Sequence, residues 1–182
     1  MHFTIADLIT DIAQNAVEAD SSLVEIDVDD SGKEFRFLIK DNGKGMTEEE
    51  LKRAIDPFVT DGKKHPNRKV GLGLPFLIQM AEMSNGGWDI KSEKGKGTSV
   101  SAWFDSGNVD MPPVGDIPGM FRTILMFESS AEILIRRKIK TVDNEDGYEV
   151  CKSELAEALG SLEDAGALIL LDQYLRSLES DE

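Results

Sequence analysis

Asp11-Ile-Ala-Gln-Asn15-Ala, Asp41-Asn-Gly-Lys-Gly45-Met46, Gly71-Leu72-Gly73-Leu74 and Lys94-Gly-Lys-Gly-Thr98 follow one another in that order, and their reading decides the fold. Each is weak alone, because Gly-x-Gly and Asp-Asn-Gly turns are common loop punctuation. Asp11 and Asn15 stand four apart on a predicted helix over residues 4–19, where Ile5, Leu8, Ile9, Ile12 and Ala16 make the apolar stripe. They therefore share a face at the edge of that stripe. An amide oxygen such as that of Asn15 is a hard ligand that suits Mg²⁺. A carboxylate one turn earlier can orient or deprotonate a water. Plain exposed helix residues would read the same way if the pair stood alone.

Outward from the helix, Val24, Ile26 and Val28 alternate with acids, and Phe35, Phe37 and Ile39 alternate into a second strand that ends at Asp41. Gly43 and Gly45 after that strand let the backbone approach a flat ligand, and Asp41 at the base can accept from an exocyclic amine. An Asx-type turn closing a strand is the alternative. Thr47 and Glu50 form a capping box that opens a short helix, ended by Pro57. Residues 59–70 have no apolar period and read as a mobile loop carrying Lys63, Lys64, Arg68 and Lys69. Gly71-Leu72-Gly73-Leu74 runs into the next helix, whose N-terminal amides favour an anion such as a triphosphate. A solvated loop of random charge remains the alternative for 59–70. Strands over Trp88–Ser92 and Thr98–Phe104 follow, joined by the Gly-Lys-Gly turn.

In this order the motifs resemble the N, G1, G2 and G3 boxes of the GHKL (Bergerat-fold) ATPases, over roughly the first 105 residues. Within that superfamily the wording is most similar to the histidine-kinase branch. Asp56-Pro-Phe-Val-Thr60 resembles its F box, and the run from Gly71 through Thr98 its G2 and G3 segments. The resemblance implies an α+β fold: a two-layer sandwich with a mixed, mostly antiparallel sheet and helices on one face. It implies ATP and Mg²⁺ as cofactors, with Asp11 catalytic and Asn15 the metal ligand. It further implies nucleotide contacts from Asn15, Asp41, Gly43, Gly45, Met46, Lys63, Lys64, Gly71, Leu72, Gly73, Leu74 and Thr98, with residues 59–70 as the lid. In the hydrolysing and serine-kinase branches the first N-box position is Glu. Asp11 is one methylene shorter, so slow hydrolysis, phosphoryl transfer to a separate protein, or ATP-gated binding without chemistry all stand open. A phosphoacceptor hairpin is not expected before the first helix, and the only histidines are His2 and His65, so phosphorylation in cis is not expected.

A linker is expected at 106–119, where the stretch from Asp105 to Gly119 holds three prolines and three glycines. Beyond it, at 120–182, Phe121, Thr123, Leu125 and Phe127 alternate, as do Ile133, Ile135 and Ile139. A hairpin is predicted there, turning at Glu128-Ser-Ser, with Arg136, Lys138 and Lys140 outward. An acidic helical extension follows from Lys152, and the whole elaboration is expected to pack on the first domain. The net charge is −15, of which residues 141–182 supply −10, so a nucleic-acid partner is excluded on charge. An acid excess of this kind reads as a solvated helical surface. A single cysteine, Cys151, and the lack of a spanning apolar run predict a cytoplasmic protein off the membrane. An unidentified protein partner or phosphoacceptor completes the expectation.

Overall fold

Alternating apolar residues form the strands, and their register puts the core on one face of a single sheet. The computed structural model describes residues 3–58, 73–140, 145–162 and 164–179. Helix α1 spans Ile5–Glu18, strands β1 and β2 span Leu23–Asp30 and Glu34–Asp41, and α2 spans Glu48–Ile55. Helix α3 (Gly73–Met83), β3 (Gly87–Glu93), β4 (Gly97–Asp105) and α4 (Ile117–Leu125) follow. The chain continues through β5 (Glu132–Lys140), β6 (Glu145–Cys151), α5 (Lys152–Leu159) and α6 (Ala165–Glu179). The sheet order is β3-β4-β2-β1-β5-β6, antiparallel throughout except for the parallel β1–β5 pair. This is the expected α+β architecture, a mixed and mostly antiparallel sheet with helices.

Val24, Ile26 and Val28, then Phe35, Phe37 and Ile39, then Val100, Ala102 and Phe104 are all buried on one parity of the register. Glu25, Asp27, Arg36 and Lys40 take the other parity. Helix α1 lays Ile5, Leu8, Ile9 and Ile12 onto the apolar face. Each such side chain contributes up to about 1.5–3 kcal/mol by leaving water. The helix starts sharply because Thr4 and Asp7 form a reciprocal capping box, with the Asp7 N–H donating to Thr4 Oγ1 at 3.1 Å. Thr47 and Glu50 do the same for α2.

Two expectations beyond residue 105 are corrected. Residues 121–127 are not a strand: α4 occupies 117–125, with Asp116 as N-cap and Pro118 in its first turn. Its buried residues Ile117, Met120, Phe121, Ile124 and Leu125 follow the helical period, which the alternation of Phe121 and Leu125 concealed. The hairpin is instead β5–β6, so the turn does not fall at Glu128-Ser-Ser. Nor does the expected linker run loose to 119. Pro113 and Val114 accept from the Ile5 and Ala6 N–H groups at 2.9 and 2.8 Å, so this segment caps the first turn of α1. The hairpin joins the sheet edge-on through β1, and α4 packs between α1 and α6. Among the described residues no helix is long and apolar enough to cross a membrane.

Candidate functional site

The site gathers where the C-terminal end of α1, the loop after β2, the β3–β4 turn and the start of α3 converge. Asp11 and Asn15 are exposed on α1 beside buried Ile12 and Ala16, as the spacing requires. One turn after Asn15, the Ala19 carbonyl accepts the Lys44 N–H at 2.8 Å, which tucks the loop of residues 41–46 under the helix end. Gly43 is obligatory there, since a Cβ would collide with that carbonyl. Gly45 has φ 58° and passes so close to the Glu93 carbonyl that no side chain fits.

Asp41 is half-buried and faces the helix-covered side, in register with Thr98 on β4. Its Oδ1 accepts the Gly43 N–H at 2.8 Å. Burial raises its pKa above the ordinary aspartate value, while the backbone N–H groups of Gly43 and Thr98 pull it down. Met46 donates its N–H to Ser92 Oγ at 2.8 Å, and Ser92 Oγ lies 2.8 Å from Thr98 Oγ1. Gly73, the first residue of α3, stands against Asp11: a Cβ there would meet the Asp11 Cβ at 3.9 Å, an ordinary contact. Leu74 is half-buried just after it. The structure thus brings Asp41, Gly43, Gly45, Met46 and Thr98 together against the C-terminal end of α1, and sets Gly73 and Leu74 beside Asp11, which stands on the same helix one turn before Asn15. Lys63, Lys64, Gly71 and Leu72 lie outside the described residues, as does the segment 59–70.

Two side chains that build this site carry no role in the sequence reading. Asn42 Oδ1 accepts the N–H groups of Ser22 and Leu23 at 2.9 and 3.0 Å, tying the loop to the start of β1. Ser92 bridges the loop to the β3–β4 turn. Ser92 begins the segment that resembles the G3 box, which is the signal available for it; nothing in its spacing marks Asn42. Glu50 adds an ion pair to Lys94 at 3.1 Å, holding α2 to the same turn.

The donor set is oxygen-rich: an amide at Asn15 and a carboxylate at Asp11, with no cluster of three or more His, Cys, Asp or Glu among the described residues. That chemistry fits Mg²⁺, which keeps most of its waters, and does not resemble a zinc site. A groove of about 530 Å³ lined by Ile55, Pro57, Pro75, Phe76, Gln79 and Met83 opens between α2 and α3, beside this cluster rather than within it.

The chain is similar in sequence to several known proteins. Sporulation kinase C of Bacillus subtilis is 33% identical over 89 residues, 48% of this chain and 20% of that protein. Sensor histidine kinase ZraS of Escherichia coli is 25% identical over 92 residues, 50% of this chain and 19% of that protein. The DNA mismatch repair protein MutL of Kosmotoga olearia is 40% identical over 53 residues, 29% of this chain and 9% of that protein. The chain therefore spans at most a fifth of these relatives. The nucleotide-free catalytic domain of histidine kinase ThkA superposes with a TM-score of 0.41 at 17% identity, over 54% of this chain and 64% of that one. Residues 3–108 match the family described as histidine kinase-, DNA gyrase B- and HSP90-like ATPase, and the loop, turn and helix start built above lie within them or at their elements. The chain belongs to that ATPase family.

Proposed function

We propose that the protein binds Mg-ATP and either hydrolyses it slowly or transfers its γ-phosphoryl group to a separate protein. The observation that carries this reading is the half-buried Asp41 carboxylate at the floor, walled by Gly43–Met46 and Thr98, with Asp11 and Asn15 at the rim. Asp41 accepts from the exocyclic amine of adenine. The Asn15 amide oxygen holds the metal, and Asp11 orients or deprotonates the attacking group. Bound Mg²⁺ supplies neutralisation of the phosphate charge. Backbone amides at the start of α3, at Gly73 and Leu74, lie where they favour an anion. Catalysis in such a site is chiefly positioning and charge neutralisation. Lys63, Lys64, Gly71 and Leu72 join the phosphate contacts on their sequence alone. The acceptor we infer is a separate protein, and the net charge of −15 disfavours nucleic acid as a partner. Residues 1–105 carry the chemistry, and the chain from α4 onward forms an appended unit.

A second reading, ATP-gated binding of a partner without turnover, is favoured by one residue. Asp11 stands where the hydrolysing branches keep the longer Glu. Calorimetric titration with ATP, with and without magnesium, tests the common core of both readings, and absence of binding would refute them together. ADP formation or labelled-phosphate transfer then separates them.

A further inference from the structure

Helix α6 turns an uncharged, largely apolar face to solvent. Its exposed positions from Ala165 to Tyr174 are Ala165, Gly166, Ile169, Leu170, Gln173 and Tyr174, none of them charged. A solvated helix face carries charged and polar residues, and 30% of this chain is charged. Ile169 is 61% exposed, and Met126, just past α4, is 40% exposed. The two helices run antiparallel, since Asp116 pairs with Arg176 and Arg122 with Asp172. Between them Thr123, Met126, Leu168, Ile169 and Gln173 line a groove of about 500 Å³. Both helices lie beyond residue 108, where the family match ends. An exposed apolar patch with a polar rim marks an interaction site.

The two ends of the groove differ in charge. At one, Arg122 and Arg176 are neutralised by Asp172 and Asp116. At the other, exposed Glu128 follows Met126 by two residues and exposed Asp164 precedes Leu168 by four. Among the described residues neither carboxylate has an ion pair or a side-chain hydrogen bond. Lys152, the base at this end, donates its ammonium to the Phe127 and Ser129 carbonyls at 2.7 and 3.3 Å. An uncompensated acidic rim beside an apolar groove complements a ligand that is both apolar and cationic. The backbones of α4 and α6 are satisfied within their own helices, so the groove offers side-chain ridges rather than a strand edge. Ridges of this kind suit a third helix. We propose that the groove seats an amphipathic helix of a separate protein, with apolar residues at three- and four-residue spacing and Lys or Arg where it passes Glu128 and Asp164. A second copy of the chain is a poor occupant, because each copy brings a net charge of −15 and the same two acids. Anionic lipid is repelled for the same reason. The proposal stands apart from the nucleotide reading.

The test uses the full chain and two labelled helical peptides that share one leucine stripe, one with lysines on its polar face and one with glutamates. Fluorescence anisotropy should show the lysine peptide binding about tenfold more tightly, by a margin that shrinks as salt rises. Ile169→Glu puts a charge in the groove and should weaken the lysine peptide by about tenfold. Simple attraction to an acidic protein predicts the opposite, because this variant is more acidic. Glu128→Gln combined with Asp164→Asn should weaken the lysine peptide alone, by about threefold at low salt. Met126→Glu repeats the test from the α4 wall and decides the matter if Ile169→Glu fails to fold. Equal binding of the two peptides, binding of neither, or lysine-peptide binding that holds or tightens in both groove variants overturns the proposal. So does a wild-type dimer in sedimentation velocity, or capture by phosphatidylglycerol vesicles, that is lost in Ile169→Glu, since either assigns the face to another occupant.

Discussion

The polar residues of the candidate site and those around β5, β6 and α6 are treated in opposite ways. Around β2, β4 and α1, the side chains of Asp11 and Asn15 are exposed, and among the described residues neither makes a side-chain hydrogen bond or ion pair. Among the described residues Asp41 is bonded only by backbone N–H groups. Around β5, β6 and α6 the arginines are spent on the protein's own acids. Arg136 reaches Glu25, Asp27 and Glu149, Arg122 reaches Asp172, and Arg176 reaches Asp116 and Asp172. Arg137 is buried in β5 and bonds Glu179 at the end of α6, which also accepts the Tyr148 hydroxyl at 2.6 Å. The first set leaves Asp11 and Asn15 without side-chain partners among the described residues, while the second fastens strands to strands, helix to helix and, at Arg137, strand to helix. Substitutions in the first should therefore change chemistry more than stability, and in the second the reverse.

The largest effect tests the first set. Asp11→Asn should lower any turnover by about 10²–10⁴, the usual worth of a positioned base, while ATP binding persists or tightens. A wild-type rate in this variant, measured as ADP release or phosphate transfer, would remove Asp11 from the chemistry and favour the gated-binding reading. Next comes the second set. Glu179→Ala leaves the Arg137 guanidinium buried without its acid and should cost about 3–5 kcal/mol in denaturant unfolding. ATP affinity should hold in the folded fraction, and a parallel loss would break the division between the sets.

Asp41→Asn should weaken ATP by about 1.5–3 kcal/mol, seen by calorimetry. Stability should move the opposite way. Because burial raises its pKa, Asp41 binds its proton more tightly in the folded than in the unfolded chain. Its contribution to stability is thus present at low pH and lost as pH rises through the raised value, so the Asn variant should melt higher at neutral pH. ATP affinity should correspondingly weaken as pH falls through a window that opens above the ordinary aspartate value of about 3.9, and this step should vanish in Asp41→Asn. The smallest effect is that of Asp116→Ala. Loss of the α4 cap should cost about 1 kcal/mol of stability and leave nucleotide binding unchanged. Its exposed contact with Arg176 adds little.

Legibility along the chain follows the same division. Helix α1, both central strands and the capping box at Thr47 were readable because their periods are clean and their caps local. The order of four motifs pointed to the neighbourhood of Asp11, Asn15, Asp41 and Thr98. Helix α4 was hidden because Phe121, Thr123, Leu125 and Phe127 alternate by chance while Pro118 and Gly119 imitate a linker. Pro118 is instead at home in the first turn, where no N–H is required of it. Strand β6 has only Val150 fully buried and Gly147 at its middle, so the period fades at an edge. The inward Arg137 was masked by the basic run around it, and Ser92 and Asn42 act through contacts 46 and 20 residues away that no local spacing encodes.

Strand β1 is hydrogen-bonded on both sides, to β2 antiparallel and to β5 parallel, and β5 comes from beyond the last residue of the family match at 108. A chain ending at that boundary would present β1 with a bare row of amides and carbonyls along Leu23–Asp30. Such a row is a template for another chain's strand. Parallel pairing also requires the whole intervening polypeptide to be made before β5 can close the gap, a slow event of high sequence separation. A truncation designed around the ATPase motifs alone should accordingly aggregate through β1, and it should be rescued by restoring residues 117–151 rather than by changes within the nucleotide site.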